Sequence, residues 1–97
     1  MVQSIMILSF RHRRLRRLYQ RGDARGINPD LLSRIEDVLA YLDVAVRVID
    51  LDLPGYRLHA LKGELKGFWS VTISGNWRVI FRMADGDVYD IDLVDYH

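Results

Sequence analysis

The sequence predicts an α+β domain, an N-terminal strand and two helices packed on one face of a mainly antiparallel sheet. Two patterns carry this prediction. Apolar residues recur at helical spacing in two segments before residue 44, and the segments after residue 67 alternate apolar with polar residues. Helices that precede a run of consecutive strands cover one face of the sheet rather than both. Length adds the third constraint: 97 residues hold one core, so residues 1–97 form a single domain.

Ser4 to Phe10, rich in Ile and Leu, reads as the first strand. His12 to Arg21 reads as a short helix whose Leu15, Leu18 and Tyr19 share a face, with Gly22 as its stop. Asn28-Pro29-Asp30 is a helix start: a capping amide, a proline whose missing N–H is not needed there, and an acid in the first turn. Leu31, Leu32, Ile35, Val38, Leu39 and Leu42 then form one apolar stripe, ending near Asp43. Pro54-Gly55 breaks the chain, and Tyr56 to Leu61 reads as a short extended piece. Phe68 to Ile73 places Trp69, Val71 and Ile73 on one side. Ser74-Gly75-Asn76 is a tight turn. In Trp77 to Met83, Trp77, Val79 and Phe81 oppose Arg78, Ile80 and Arg82. Asp85-Gly86 is a hairpin turn, and the closing strand sets Tyr89, Ile91 and Leu93 against Asp90 and Asp92. Trp69 and Trp77 are expected in the core, and Asp90 and Asp92 on a solvated face.

Composition narrows the functional classes. Hydrophobic content of 49% and charged content of 28% are those of a soluble globular protein. No apolar run approaches the roughly 20 residues of a membrane span, and Ile5-Met6-Ile7-Leu8 is too short for a signal peptide, so no membrane partner is expected. The chain has no cysteine, hence no disulfide framework and no thiolate metal site, and a cytoplasmic location is the expectation. The net charge of +1 conceals an asymmetry. Between residues 11 and 25 lie Arg11, Arg13, Arg14, Arg16, Arg17, Arg21 and Arg25 against one acid, Asp23, whereas every charge from Asp85 onward is acidic. Such a basic face attracts polyanions; the plainer reading is a solvated helix face.

Two segments hold the residue types of proton and phosphate chemistry. His59 and Lys62 lie three apart in a glycine-punctuated stretch, where a turn at Leu61-Lys62-Gly63 would bring them to one rim. The chain closes on Asp95-Tyr96-His97, joining a carboxylate, a phenol and an imidazole. Arg78 belongs to the strand between those of Trp69 and Tyr89. Cleaving RNA without a metal requires activating a ribose 2′-OH, stabilising charge at phosphorus and protonating the departing 5′ oxygen. Arginine and lysine supply the charge, histidine or carboxylate the proton traffic, and an aromatic ring can stack on a base. Each residue alone has a plainer role, Arg78 as a strand-face ion-pair partner and His59 as a surface histidine. No close-spaced ligand pair supports a metal site, and there is no glycine-rich phosphate loop.

The runs Tyr56-Arg57-Leu58-His59-Ala60-Leu61-Lys62-Gly63, Gly67-Phe68-Trp69-Ser70-Val71, Gly75-Asn76-Trp77-Arg78-Val79-Ile80-Phe81, Gly86-Asp87-Val88-Tyr89 and Asp95-Tyr96-His97 resemble the HigB-type toxins of the RelE/ParE superfamily. Ser9-Phe10-Arg11-His12-Arg13 fits the same pattern, so the resemblance spans nearly the whole chain. It implies a RelE-like fold and a ribosome-dependent mRNA endonuclease that uses no metal or other cofactor. It also implies neutralisation by a helix-turn-helix, HigA-like antitoxin. By motif position, His59, Asp95 and His97 would handle protons, Lys62 and Arg78 would stabilise phosphate charge, and Tyr96 would position the nucleotide. Arg11, Arg13, Arg14, Arg16, Arg17 and Arg21 would meet ribosomal RNA. Ala60 stands where the family usually has proline, which loosens the backbone between His59 and Lys62. The rival reading is a non-catalytic toxin of the same superfamily that poisons a protein target such as DNA gyrase.

Overall fold

The computed structural model describes residues 7–96. Two helices, α1 (Arg13–Arg21) and α2 (Pro29–Val44), precede four strands: β1 (His59–Ala60), β2 (Trp69–Ser74), β3 (Trp77–Ala84) and β4 (Asp87–Asp95). The strands form an antiparallel sheet in chain order, β1-β2-β3-β4. The part of the expected first strand that lies within the described residues runs parallel to β4, bridging Ile7 to Val88 and Phe10 to Ile91. Its Ser4-to-Met6 portion is outside them. No helix among the described residues is long and apolar enough to cross a membrane.

The helices start and stop where local chemistry dictates. His12, expected as the first helical residue, is instead the cap of α1: its ring Nδ1 accepts the Leu15 N–H at 3.3 Å. Gly22 closes the helix at φ 67°, a left-handed conformation that costs glycine little, and donates to the Leu18 carbonyl at 2.9 Å. Asn28 caps α2 by accepting the Asp30 N–H at 2.9 Å, with Pro29 in the first turn. Leu15 and Leu18 of α1 and Leu31, Ile35, Val38, Leu39 and Leu42 of α2 are buried. They meet Val71, Ile73, Val79, Phe81, Val88 and Ile91 from one face of the sheet. The Tyr19 hydroxyl donates to the Asp43 carboxylate and ties the two helices. Burial first, then that hydrogen bond and charge, push the phenol up to about 12.

The other sheet face carries a smaller cluster, Leu61, Phe68 and Ile80, flanked by Leu65 and Val94. No helix covers it. Phe68 is closed over by guanidinium groups, with Arg11 at 5.5 Å and Arg82 at 5.6 Å from its ring centroid.

Three expectations are corrected. Tyr56 to Leu61 is not extended throughout: Arg57 takes a left-handed φ of 52° and breaks the run, so the strand proper is His59–Ala60, with single backbone hydrogen bonds at Tyr56 and Leu61 on either side. Trp77 is 36% exposed rather than core, since it follows the turn at the far end of the sheet. Tyr89 is only half-buried, and its partner across the ladder is Arg82 on the uncovered face, with 5.3 Å from guanidinium to ring. The reason is a β-bulge. Arg82 pairs with Tyr89 and Ile80 with Asp92, so Phe81 alone faces both Asp90 and Ile91. Asp90 takes φ 57°, and its freed N–H is accepted by the Ser9 hydroxyl at 2.9 Å. Val88 before the bulge and Ile91 after it therefore both enter the core.

This register predicts unequal losses. Ile91→Ala should cost about 2–5 kcal/mol in chemical denaturation, and Tyr89→Ala less than half of that. The opposite ranking would be incompatible with a bulge at Asp90.

Candidate active site

The candidate site lies on the uncovered face of the sheet, and strand register assembles it. His59 pairs with Ser70, Ser70 with Ile80, and Ile80 with Asp92, giving one row across four strands. The next row is Thr72, Arg78 and Val94. Side chains in such rows share a face. A cavity of about 180 Å³ opens there, lined by Arg57, His59, Ser70, Thr72, Arg78 and Tyr96.

Each wall residue is held by something identifiable. β1 is only two residues long, but the Tyr56 carbonyl also accepts the Thr72 N–H at 2.7 Å, which seats residues 56–60 along β2. Arg78 donates from one guanidinium nitrogen to the Gly75 carbonyl at 2.7 Å and the Trp77 carbonyl at 3.3 Å. These neutral acceptors orient the group without cancelling its charge. Tyr96 continues the β3–β4 ladder, its N–H donating to the Asn76 carbonyl at 2.7 Å. Tyr96 is thus pinned to the turn that leads into Arg78. Ser70, 3% exposed, is the buried polar residue on this wall.

Of the residues singled out from sequence, the structure brings His59, Arg78 and Tyr96 together. Lys62 is exposed, leads into a 3₁₀ turn at Gly63–Leu65, and is not part of the cavity wall. Asp95 pairs with Trp77, on the row that alternates away from Arg78 and Tyr96. His97 lies outside the described residues. Arg57, Ser70 and Thr72 were missed. Ser70 and Thr72 were visible as the polar half of the β2 alternation, but nothing local marked them as neighbours of His59 and Arg78.

The arginines of α1 form a second feature. The helix carries five arginines and no acid in nine residues. Arg11, His12, Arg13, Arg14 and Arg17 line an open groove of about 430 Å³ with one carboxylate, Asp92. Arg14, Arg17, Arg21 and Arg25 line another of about 490 Å³ with Gly26. Arg16 is exposed on the same helix. The acidic strand and the basic helix are therefore not separate fields, because Asp92 of β4 stands in the first groove, 4.0 Å from Arg11. Arg25 is taken by Asp23, whose carboxyl it holds far below the ordinary carboxylate range.

Over residues 8–97 the chain matches the family described as RelE-like toxin of type II toxin–antitoxin system HigB. It is 39% identical to endoribonuclease HigB of Proteus vulgaris over 92 residues, 95% of this chain and all of that one. To toxin HigB-1 of Vibrio cholerae it is 34% identical over 86 residues, 84% of this chain and 87% of the other. The fold resembles the heterotetrameric YoeB–YefM toxin–antitoxin complex of Staphylococcus aureus, with a TM-score of 0.58 at 16% identity, covering 99% of both chains.

The cap of α1 links the stability of this helix to pH. Nδ1 of His12 accepts a hydrogen bond and so must be unprotonated, and burial lowers its pKa from 6.5, with Asp92 opposing and Arg14 adding to the shift. Below that value the unfolded chain takes up a proton that the folded chain resists. The stability is therefore fully present above the unfolded pKa and is lost as pH falls toward the folded one. Between about pH 7 and about pH 5.5, wild type should lose more stability than His12→Asn, whose amide caps without titrating. Equal losses in chemical denaturation would remove His12 from this role.

Proposed function

We propose that this chain, which belongs to the HigB-like family of RelE-like toxins of type II toxin–antitoxin systems, is an endoribonuclease that cuts messenger RNA on the ribosome. The observation that carries this reading is the cavity in which His59, Arg78 and Tyr96 meet on the uncovered sheet face. The Proteus vulgaris relative named an endoribonuclease supports it.

In this reading the ribose 2′-oxygen attacks the adjacent phosphorus, the P–O5′ bond breaks, and a 2′,3′-cyclic phosphate and a 5′-hydroxyl result. One proton leaves the 2′-OH and one reaches the 5′ oxygen. His59 on the wall and His97, next in sequence to Tyr96, take up the one and deliver the other. Arg78, aimed by two backbone carbonyls, holds the non-bridging oxygens as negative charge grows on them. Tyr96 packs against the base or ribose, and Lys62 meets a neighbouring phosphate at the rim. Asp95, on the row of Trp77, touches no substrate in this reading. No step uses a metal.

The arginines of α1 serve as the anchor to ribosomal RNA. Like charges at Arg13–Arg16, Arg13–Arg17, Arg14–Arg17 and Arg17–Arg21 each cost the helix about 0.2–0.5 kcal/mol, and Arg13 and Arg14 face an unfavourable dipole. A polyanion relieves both terms. The other partner is an antitoxin of helix-turn-helix, HigA-like type, in keeping with a type II system and with the YoeB–YefM toxin–antitoxin assembly. The site of action is the cytoplasm, where ribosomes translate.

A cell-free translation reaction on a defined mRNA, with primer extension to map cuts, tests the reading. Wild type should cut inside translated codons, and His59→Ala, Arg78→Ala and His97→Ala should each slow cutting on the order of 100-fold or more while remaining folded. Efficient cutting of free RNA would remove the ribosome from the mechanism. No cutting by folded wild type would favour a poison of a protein target. Arg17→Glu separates stability from function: it should stabilise the fold by roughly 0.5–1 kcal/mol yet weaken ribosome binding and its salt dependence. A destabilised variant, or one with unchanged ribosome affinity, would count against the anchoring role.

A further inference from the structure

We propose that Arg57 is a second phosphate-binding residue of this site, contacting an RNA phosphate beside the one held by Arg78; the proposal rests on the RNA-cleaving reading above. Arg57 lies on the wall of the 180 Å³ cavity, two residues before His59. Its backbone is fixed from two directions. The carbonyl of Tyr56 accepts the Thr72 N–H at 2.7 Å, and Arg34 of α2 lies 4.5 Å over the Tyr56 ring while donating to the Gly55 carbonyl at 2.8 Å. Between these anchors Arg57 adopts φ 52°, a conformation that glycine or asparagine takes readily and arginine rarely does. An arginine kept where glycine fits better points to a use for its side chain.

Charge supplies that use. The ion pairs among the described residues join Arg11 to Asp92, Arg25 to Asp23, Arg47 to Asp50 and Arg82 to Asp90. Among the described residues none engages Arg57 or Arg78, and none of those lining the cavity is a carboxylate. Two guanidinium groups around one small opening repel each other until an anion stands between them. A phosphodiester fits: its paired non-bridging oxygens match the guanidinium fork, and a chain of phosphates can occupy both.

The test uses Arg57→Gly, which keeps the left-handed backbone while removing the side chain, and Arg57→Lys, which keeps the charge but loses the fork. In the translation-coupled assay Arg57→Gly should cut about 10–100-fold more slowly than wild type with undiminished stability in denaturant, and Arg57→Lys should recover part of the rate. Wild-type cutting by Arg57→Gly, beside lost cutting by Arg78→Ala, overturns the role of Arg57 and leaves the reading of the site standing. If wild type itself does not cut, that reading fails, and binding decides Arg57 separately. A 2′-O-methyl RNA oligonucleotide is titrated against each protein over a range of KCl. Losing one phosphate contact should reduce the slope of log K against log salt by about 0.7. An unchanged slope, or a wild-type affinity without salt dependence, overturns the proposal.

Discussion

The extra residue at Asp90 is the constraint on which the rest of the molecule depends. A strand alternates strictly, so a β4 with Val88 in the core would carry residues 90, 92, 94 and 96 to the same side. The bulge reverses that phase. Ile91 and Leu93 then pack toward the helices, while Val94 joins the small cluster on the uncovered face and Tyr96 reaches the cavity beside Arg78. The Ser9 hydroxyl holds the freed N–H of Asp90, so the segment leading into α1 secures the device that sets the phase of β4 up to Tyr96. A feature of core packing thus also decides the composition of the candidate site.

The same seam joins charges that look separate along the chain. Arg11 lies between Asp92 and the ring of Phe68, and Arg82 between Asp90 and the rings of Phe68 and Tyr89. These are half-exposed contacts of modest energy. Their effect is to seal the small apolar cluster with guanidinium groups in place of a helix. Beyond the seam, α1 has no arginine that forms an ion pair among the described residues. Its stability comes from Leu15 and Leu18 in the core, from the His12 cap and from Gly22. A helix held by packing can present a repulsive charge row that an isolated peptide could not sustain.

The candidate site is built on the sheet wherever it can be. Arg78 sits on an inner strand, paired on both sides, and is clamped to its own turn, whereas His59 belongs to a strand of two residues that depends on contacts from β2 and α2. Such a division gives one wall fixed geometry and leaves the other dependent on the loop around Gly55 and Tyr56. Arg34 is the link between that loop and the core, and its buried Nε has no hydrogen-bond partner among the described residues. That orphaned donor is the local cost of stacking the guanidinium on Tyr56.

Much of the fold was legible because local chemistry decides it. Caps at Asn28 and Gly22, the stripe from Leu31 to Leu42, and the turn at Asp85-Gly86, where φ is 54° and 84°, need only neighbouring residues. His59, Arg78 and Tyr96, which share the cavity wall, could be singled out as candidates from residue type and from the resemblance of whole motifs. Which residues stand beside them was not legible. Ser70, Thr72 and Arg57 enter the cavity through the β1–β2 register and a left-handed turn at Arg57, and Asp95 leaves it through pairing with Trp77. A sequence determines the period of a strand, but a single bulge shifts its phase. Only packing against a partner strand and a core decides where that bulge goes.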